Sequence, residues 1–207
     1  MKLRTALLCA LASLLTGVLV SQAQVPGVNS TLNSVFTLAY DNSTMKPTYS
    51  ASNAGVTTTS NGGDVCSLYG SATKTVKVRR VLFGGVTAAL QTDPVSIIKR
   101  STLNNGGTVG APMVVTAYDT SNTASTAITD IYTVAPTTQG TFIGVLVDKF
   151  ITLNGATTAV AAIPVTEFTF GALGQPVVLR GVLQSVSVNT AGLAGFNMSC
   201  TFEWTEE

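Results

Sequence analysis

NMSCTFEW, residues 197–204, alternates without a break. Met198, Cys200, Phe202 and Trp204 fall on one side and Asn197, Ser199, Thr201 and Glu203 on the other, which is the period-two pattern of a half-buried strand. The first set is expected to face a core and the second to face solvent. Glu206 and Glu207 lie just past this run and are expected to be dispensable.

Upstream, short β-branched runs follow one another at intervals of about 8 to 15 residues, separated by Gly, Asn and Pro. Residues 64–72 lead into 74–83, where Val76 and Val78 alternate with Lys77 and Arg79 and should face the core, before Arg80 and Val81 break the phase. Next comes 95–101 (VSIIKRS), closed by Asn104-Asn105-Gly106-Gly107, whose residues tolerate a positive φ. Residues 112–118, 124–134, 141–153 and 166–170 read as further strands, the third of these ending at Asn154-Gly155. Residues 176–188 (PVVLRGVLQSVSV) are long enough to bend at Gly181 and to count as one kinked strand or two. No helical period is sustained after residue 24, so eight to ten strands without intervening helices exclude a βαβ architecture. The expected fold is all-β: an antiparallel β-sandwich, jelly-roll-like rather than immunoglobulin-like, because the single Trp204 follows Cys200 instead of lying between two cysteines.

The N-terminus reads differently. Lys2 and Arg4 precede an apolar run over 5–20, and Ser21-Gln22-Ala23 puts small residues where a signal peptidase reads them. The run is shorter than the ~20 residues a spanning helix needs. Residues 1–23 are therefore expected to form a signal-peptide helix, with the mature chain beginning near Gln24 and free of the membrane after cleavage. The expected location is secreted, extracellular or periplasmic. Residues 24–63, rich in Ser, Thr, Asn and Ala with one β-like run at 34–40 (SVFTLAY), read as an arm or as a first strand with long loops. Residues 64–207 form the sandwich domain.

Charged residues are 10% of the chain, against about 25% in an average protein. Without Lys2 and Arg4, nine basic side chains face ten acidic ones, a net of −1 that makes no electrostatic case for nucleic acid or an anionic membrane. Cys9 leaves with the leader, so Cys66 and Cys200 remain, either as a disulfide or as two separate buried thiols. A bond would close a long loop and stabilise by at most roughly 5 kcal/mol.

No histidine is present, which removes the commonest general base and metal ligand together. Serine triads, HExxH sites and Cys-His nucleophiles are excluded in their usual forms. Asp119, Asp130, Asp148 and Glu167 are carboxylates of the kind glycosidases pair, but each lies on or beside a strand and reads as solvated or turn-capping. No catalytic residue, cofactor or metal site is expected. The Gly-Gly pairs at 62–63, 84–85 and 106–107 lack a following helix and a GK[ST] ending and read as turns. Lys74, Lys77, Arg79 and Arg80, with Lys99 and Arg100 on the next strand, read as a solvated strand face. Asn29, Asn42 and Asn197 begin glycosylation sequons.

Seven phrases carry a resemblance: GSATKTVKVRRV (70–81), SIIKRST (96–102), NNGGT (104–108), AYDTSNTAST (117–126), EFTFG (167–171), PVVLRG (176–181) and FEWTEE from Phe202. In their order, over about two thirds of the chain, they resemble uncharacterised proteins of tailed-phage and environmental viral genomes. The resemblance implies a virion-associated structural β-sandwich and supplies no catalytic residues. A signal peptide departs from it, since phage capsid parts assemble in the cytoplasm.

The expected function is non-enzymatic: a structural and interaction protein, a virion decoration or capsid-type component or part of another extracellular assembly. Its expected partners are proteins, a homo-oligomer included. The alternative is a secreted carbohydrate-binding or adhesion module holding a glycan on Tyr69, Tyr118, Tyr132 or Trp204.

Overall fold

A computed structural model describes residues 46–57, 62–87, 90–111, 113–155, 165–171, 175–191 and 196–207. The signal-peptide reading, the run at 34–40 and the sequons at Asn29 and Asn42 lie outside the described residues. Among the described residues there are twelve strands: β1 (Thr48–Thr57), β2 (Gly63–Tyr69), β3 (Thr75–Thr87), β4 (Gln91–Arg100), β5 (Thr108–Val109), β6 (Val114–Ala117), β7 (Ile128–Val134), β8 (Phe142–Gly155), β9 (Thr166–Thr169), β10 (Val177–Arg180), β11 (Ser185–Thr190) and β12 (Asn197–Glu206).

They form two antiparallel sheets packed face to face. One runs β6-β1-β12-β3, with β10 and then β9 along the other edge of β3; the second runs β5-β7-β2-β11-β4-β8. A short parallel contact, Val86 with Asn154 and Thr87 with Gly155, joins the sheets along one side. With β5, β6 and β7 set aside, β1 pairs with β12, β2 with β11, β3 with β9 and β10, and β4 with β8. That is one long antiparallel hairpin wrapped over itself, the jelly-roll topology. The stretch between β4 and β8 is an insertion whose β6 adds to β1 and whose β7 adds to β2, covering both sheets on the same side.

The core lies between the sheets. Met198, Cys200, Phe202 and Trp204 are all buried, as their alternation predicts, and so are Val76 and Val78. The Trp204 ring stacks on Tyr49 of β1 with centroids 6.0 Å apart. Cys66 of β2 and Cys200 of β12 are joined as a disulfide between the two sheets, with Cα atoms 6.7 Å apart.

The break in phase at Arg80 has a physical cause. Val78 pairs with Trp204 and Arg80 with Glu203, so Arg79 is an extra residue on β3, a β-bulge that returns Val81 and Phe83 to the core face. The bend expected at Gly181 separates β10 from β11, and its φ of 71° suits glycine.

Three readings are corrected. First, the sheet begins at Thr48, ahead of residue 64, because Tyr49 and Ala51 of β1 are buried between β12 and β6. Only Tyr, Val and Thr mark TYSASNAGVT as β-forming, and its pattern is hidden among small residues. Second, Gly84-Gly85 is no turn: both lie inside β3, and a Cβ on Gly85 would sit 2.4 Å from the Asn197 carbonyl oxygen, so glycine there permits close approach of β12. Third, β12 continues through Glu206, which is buried and therefore not dispensable.

Candidate interaction surface

The four carboxylates singled out in the sequence have separate partners. Asp119 caps its own turn by accepting from Ser121, Asp130 accepts from Tyr132 at 3.4 Å, Asp148 accepts from Ser96, and Glu167 pairs with Arg80. The four carboxylates share no partner. Burial pushes the Asp130 carboxyl above the usual range, partly offset by the Tyr132 hydroxyl. Among the described residues no group of three or more His, Cys, Asp or Glu side chains could hold a metal ion.

Lys74, Lys77, Arg80 and Lys99 are part-exposed and engaged with partners, and Arg79 is exposed, so the solvated reading is corrected at Arg100, which is buried. Lys74 pairs with Glu206 at 3.1 Å, Lys77 with Glu207 at 2.6 Å, and Arg80 with Glu203 and Glu167. Lys99 Nζ donates to the Val178 carbonyl at 2.8 Å. Arg100 is buried and donates through Nε and Nη2 to both oxygens of buried Asp64, at 2.6 and 2.7 Å. Asn104 and Asn189 also donate to Asp64, and Arg100 reaches the Gly140 carbonyl and Gln139. This network pins both ends of the insertion to the second sheet. Its geometry is that of a satisfied buried pair, whose partners would be costly to separate.

Glu206 holds the middle of the insertion. Its carboxylate accepts from the Ser125 hydroxyl, from the Thr126 and Ala127 backbone N–H groups, and from Trp204 Nε1 at 3.1 Å. Burial alone would raise its pKa, but the bonds from Ser125, Trp204, Lys74 and the Thr126 N–H outweigh that and leave it below the ordinary glutamate value.

Of the four aromatic side chains suggested as glycan platforms, three are buried. Trp204 is core, and Tyr69 and Tyr132 bond to each other through their hydroxyls at 2.8 Å. Burial raises the pKa of both phenols, Tyr132 the more strongly. Tyr118 alone is exposed, with its hydroxyl donating to Glu203.

What remains is an edge. The strands closing the other sheet margins, β5, β6, β9 and β10, have two to four residues each, and short edge strands template little further pairing. β8 has 14 residues. It pairs with β4 along one side, and on the other only Asn154 and Gly155 meet a described strand. Phe142, Ile143, Val145, Leu146 and Phe150 on this strand are 57%, 51%, 45%, 37% and 78% exposed. Two β-bulges leave Ile143 and Leu146 without opposite residues on β4 and increase the local twist. Sequence reading found the strand but not its exposure. Its continuous apolar text (FIGVLV) suits a strand buried on both faces as well as one that overhangs.

Comparison with protein-family models, with curated proteins and with solved structures finds no match to this chain.

Proposed function

We propose that this chain is a non-enzymatic structural and interaction protein, exported and built into an extracellular assembly, with a virion decoration or capsid-type role as the specific form. The observation that carries the reading is β8, among the described residues a long edge strand with five large apolar side chains in solvent, on a sandwich whose other described margins are short. The rest of the molecule supports it. The jelly roll is stabilised by an inter-sheet disulfide, as suits an oxidising compartment. Three of its buried charges, Asp64, Arg100 and Glu206, hold the insertion in place. The resemblance of its sequence phrases to uncharacterised proteins of viral genomes points the same way.

The test is to purify the native chain from its source and find its form by electron microscopy and mass spectrometry of particles. Recovery as a stoichiometric component of a particle or filament supports the proposal. Recovery only as a free protein with a turnover activity sinks it. The carbohydrate-binding alternative rests on Tyr118, exposed beside Glu203 and Arg80, and a glycan array in which Tyr118→Ala abolishes a signal would favour it.

A further inference from the structure

The insertion between β4 and β8 occupies a place that the jelly roll itself leaves empty. β1 has ten residues and β2 has seven. The wrapped hairpin pairs each along one side, β1 with β12 and β2 with β11. Among the described residues, only the insertion pairs with the other side: β6 covers Tyr49–Ser52 and β7 covers Cys66–Tyr69. Without it, both sheets would end on the same side of the molecule in a strand with unpaired N–H and C=O groups. Such an edge templates pairing with another chain unless something covers it.

The insertion is held differently from the sandwich. β12 buries Met198, Cys200, Phe202 and Trp204, and β3 buries Val76, Val78, Val81 and Phe83. The described part of the insertion sends only Met113, Ala127 and Ile131 into that core, with Val115 and Ala117 packed at its margin, and leaves Val109, Val114, Ile128 and Val134 in solvent. Its other attachments are polar and come from side chains of the sandwich. Glu206 grips Ser125, Thr126 and Ala127, Tyr49 Oη donates to the Thr123 carbonyl at 2.7 Å, and Asn53 Nδ2 donates to the Ala111 carbonyl at 3.2 Å. The base is closed on itself: Asn105 and Thr138 exchange backbone hydrogen bonds at 2.8 and 3.0 Å, and Arg100 and Asn104 fix it to Asp64. The Cys66–Cys200 bond joins β2 to β12, so the sheets stay together whether or not the insertion is seated. A segment with few buried apolar side chains, fixed at its base and held elsewhere by hydrogen bonds, opens at lower cost than the core beside it.

We infer that residues 106–137 form a strap that opens as a unit about this base before the sandwich unfolds, and that the seated strap guards the β1 and β2 edges against pairing with a second copy of this chain. The inference goes beyond the assembly reading and does not depend on it.

The experiment is hydrogen exchange of the full mature chain, read by mass spectrometry with the Cys66–Cys200 bond intact, together with sedimentation velocity. Amides of β6 and β7 should exchange faster than those of β3 and β12. Ser125→Ala removes a donor to Glu206 from the strap. It should speed exchange across β6 and β7 at least about tenfold and leave β3 and β12 unchanged. Tyr49→Phe, which keeps the buried ring and removes only the bond to Thr123, should act in the same direction. Both variants should self-associate more than the unmodified chain. Ser52→Cys with Val114→Cys, at facing positions of β1 and β6, lies within disulfide reach. That bond staples the strap shut, and added to Ser125→Ala it should abolish both effects. Exchange of β6 and β7 in step with β3 and β12, in the unmodified chain and in both variants, overturns the strap as a separate unit. No gain in self-association on opening, or a gain that survives the staple, overturns the guard.

Discussion

Glu206→Ala should loosen the whole insertion although it removes one side chain near the end of β12. In the native protein its carboxylate accepts from Ser125, Thr126, Ala127 and Trp204 and pairs with Lys74 at 3.1 Å. Hydrogen bonds to a charged group are worth about 1.5–3 kcal/mol each, and they are not additive within one network. Breaking a buried pair by removing one partner costs about 3–5 kcal/mol. A loss of about 3 kcal/mol is the working figure, and for a chain of this size it lowers Tm by roughly 6–12 °C. The sign of the pH effect follows from the lowered pKa. A carboxylate whose folded pKa lies below its unfolded value contributes stability that is present above the unfolded pKa, near 4.3, and is lost as pH falls through the folded pKa. Stability of the native chain should therefore drop on acidification below about pH 4.3, and Glu206→Gln should flatten part of that drop while costing stability at neutral pH. Calorimetric melts between neutral and acidic pH provide the measurement, with proteolysis of 119–127 as a local readout. A Glu206→Ala protein that melts within a degree of wild type and keeps its acid profile refutes the reasoning.

Trp204→Ala should cost about 3–5 kcal/mol in urea unfolding, since the ring is fully buried against Tyr49; an unchanged midpoint would make it a surface residue. Replacing both Cys66 and Cys200 by Ala should cost about 2–5 kcal/mol, and mass analysis of the unreduced native chain should show two hydrogens fewer than the dithiol. Gly85→Ala should destabilise by about 1–3 kcal/mol by pushing β12 away at the Asn197 carbonyl, read as a lower urea midpoint. Glu207→Gln, by contrast, removes only a part-exposed pair with Lys77 and should change stability by less than about 1 kcal/mol.

The strands that could be read in the sequence were those with a strong period or a β-branched text. β12 and the first half of β3 alternate, and the structure buries the sides they indicate. Even the lost phase at Arg80 was visible, though its meaning as a bulge needed the partner strand. β1 was obscured because its buried residues, Tyr49 and Ala51, sit among Ser, Asn and Gly, and its stability comes from β12, nearly 150 residues away. Glu206 was misjudged for a similar reason. Nothing local in FEWTEE shows that Ser125, Thr126 and Ala127 fold onto its carboxylate. Arg100 looked like one more surface cation until Asp64 was placed against it. The pattern is physical: period and composition report how a segment treats solvent, whereas buried polar pairs and open edges depend on what the rest of the chain brings alongside. β8 shows the limit most clearly, since its apolar text was legible and its exposure was not.

The wrapped-hairpin pairing also constrains when the chain can fold. β12 is the central strand of its sheet, holding β1 on one side and β3 on the other, and β11 occupies the same place between β2 and β4. Both are late in synthesis. Until residues 185–206 have left the ribosome, β1 to β4 lack the strands that join them, and the contacts they await span most of the domain. Such long-range closure is slow. The nascent chain thus stays extended through most of translation, a form that a translocation channel can thread. If the chain is exported as proposed, the sheets close and the cystine forms only after arrival on the far side.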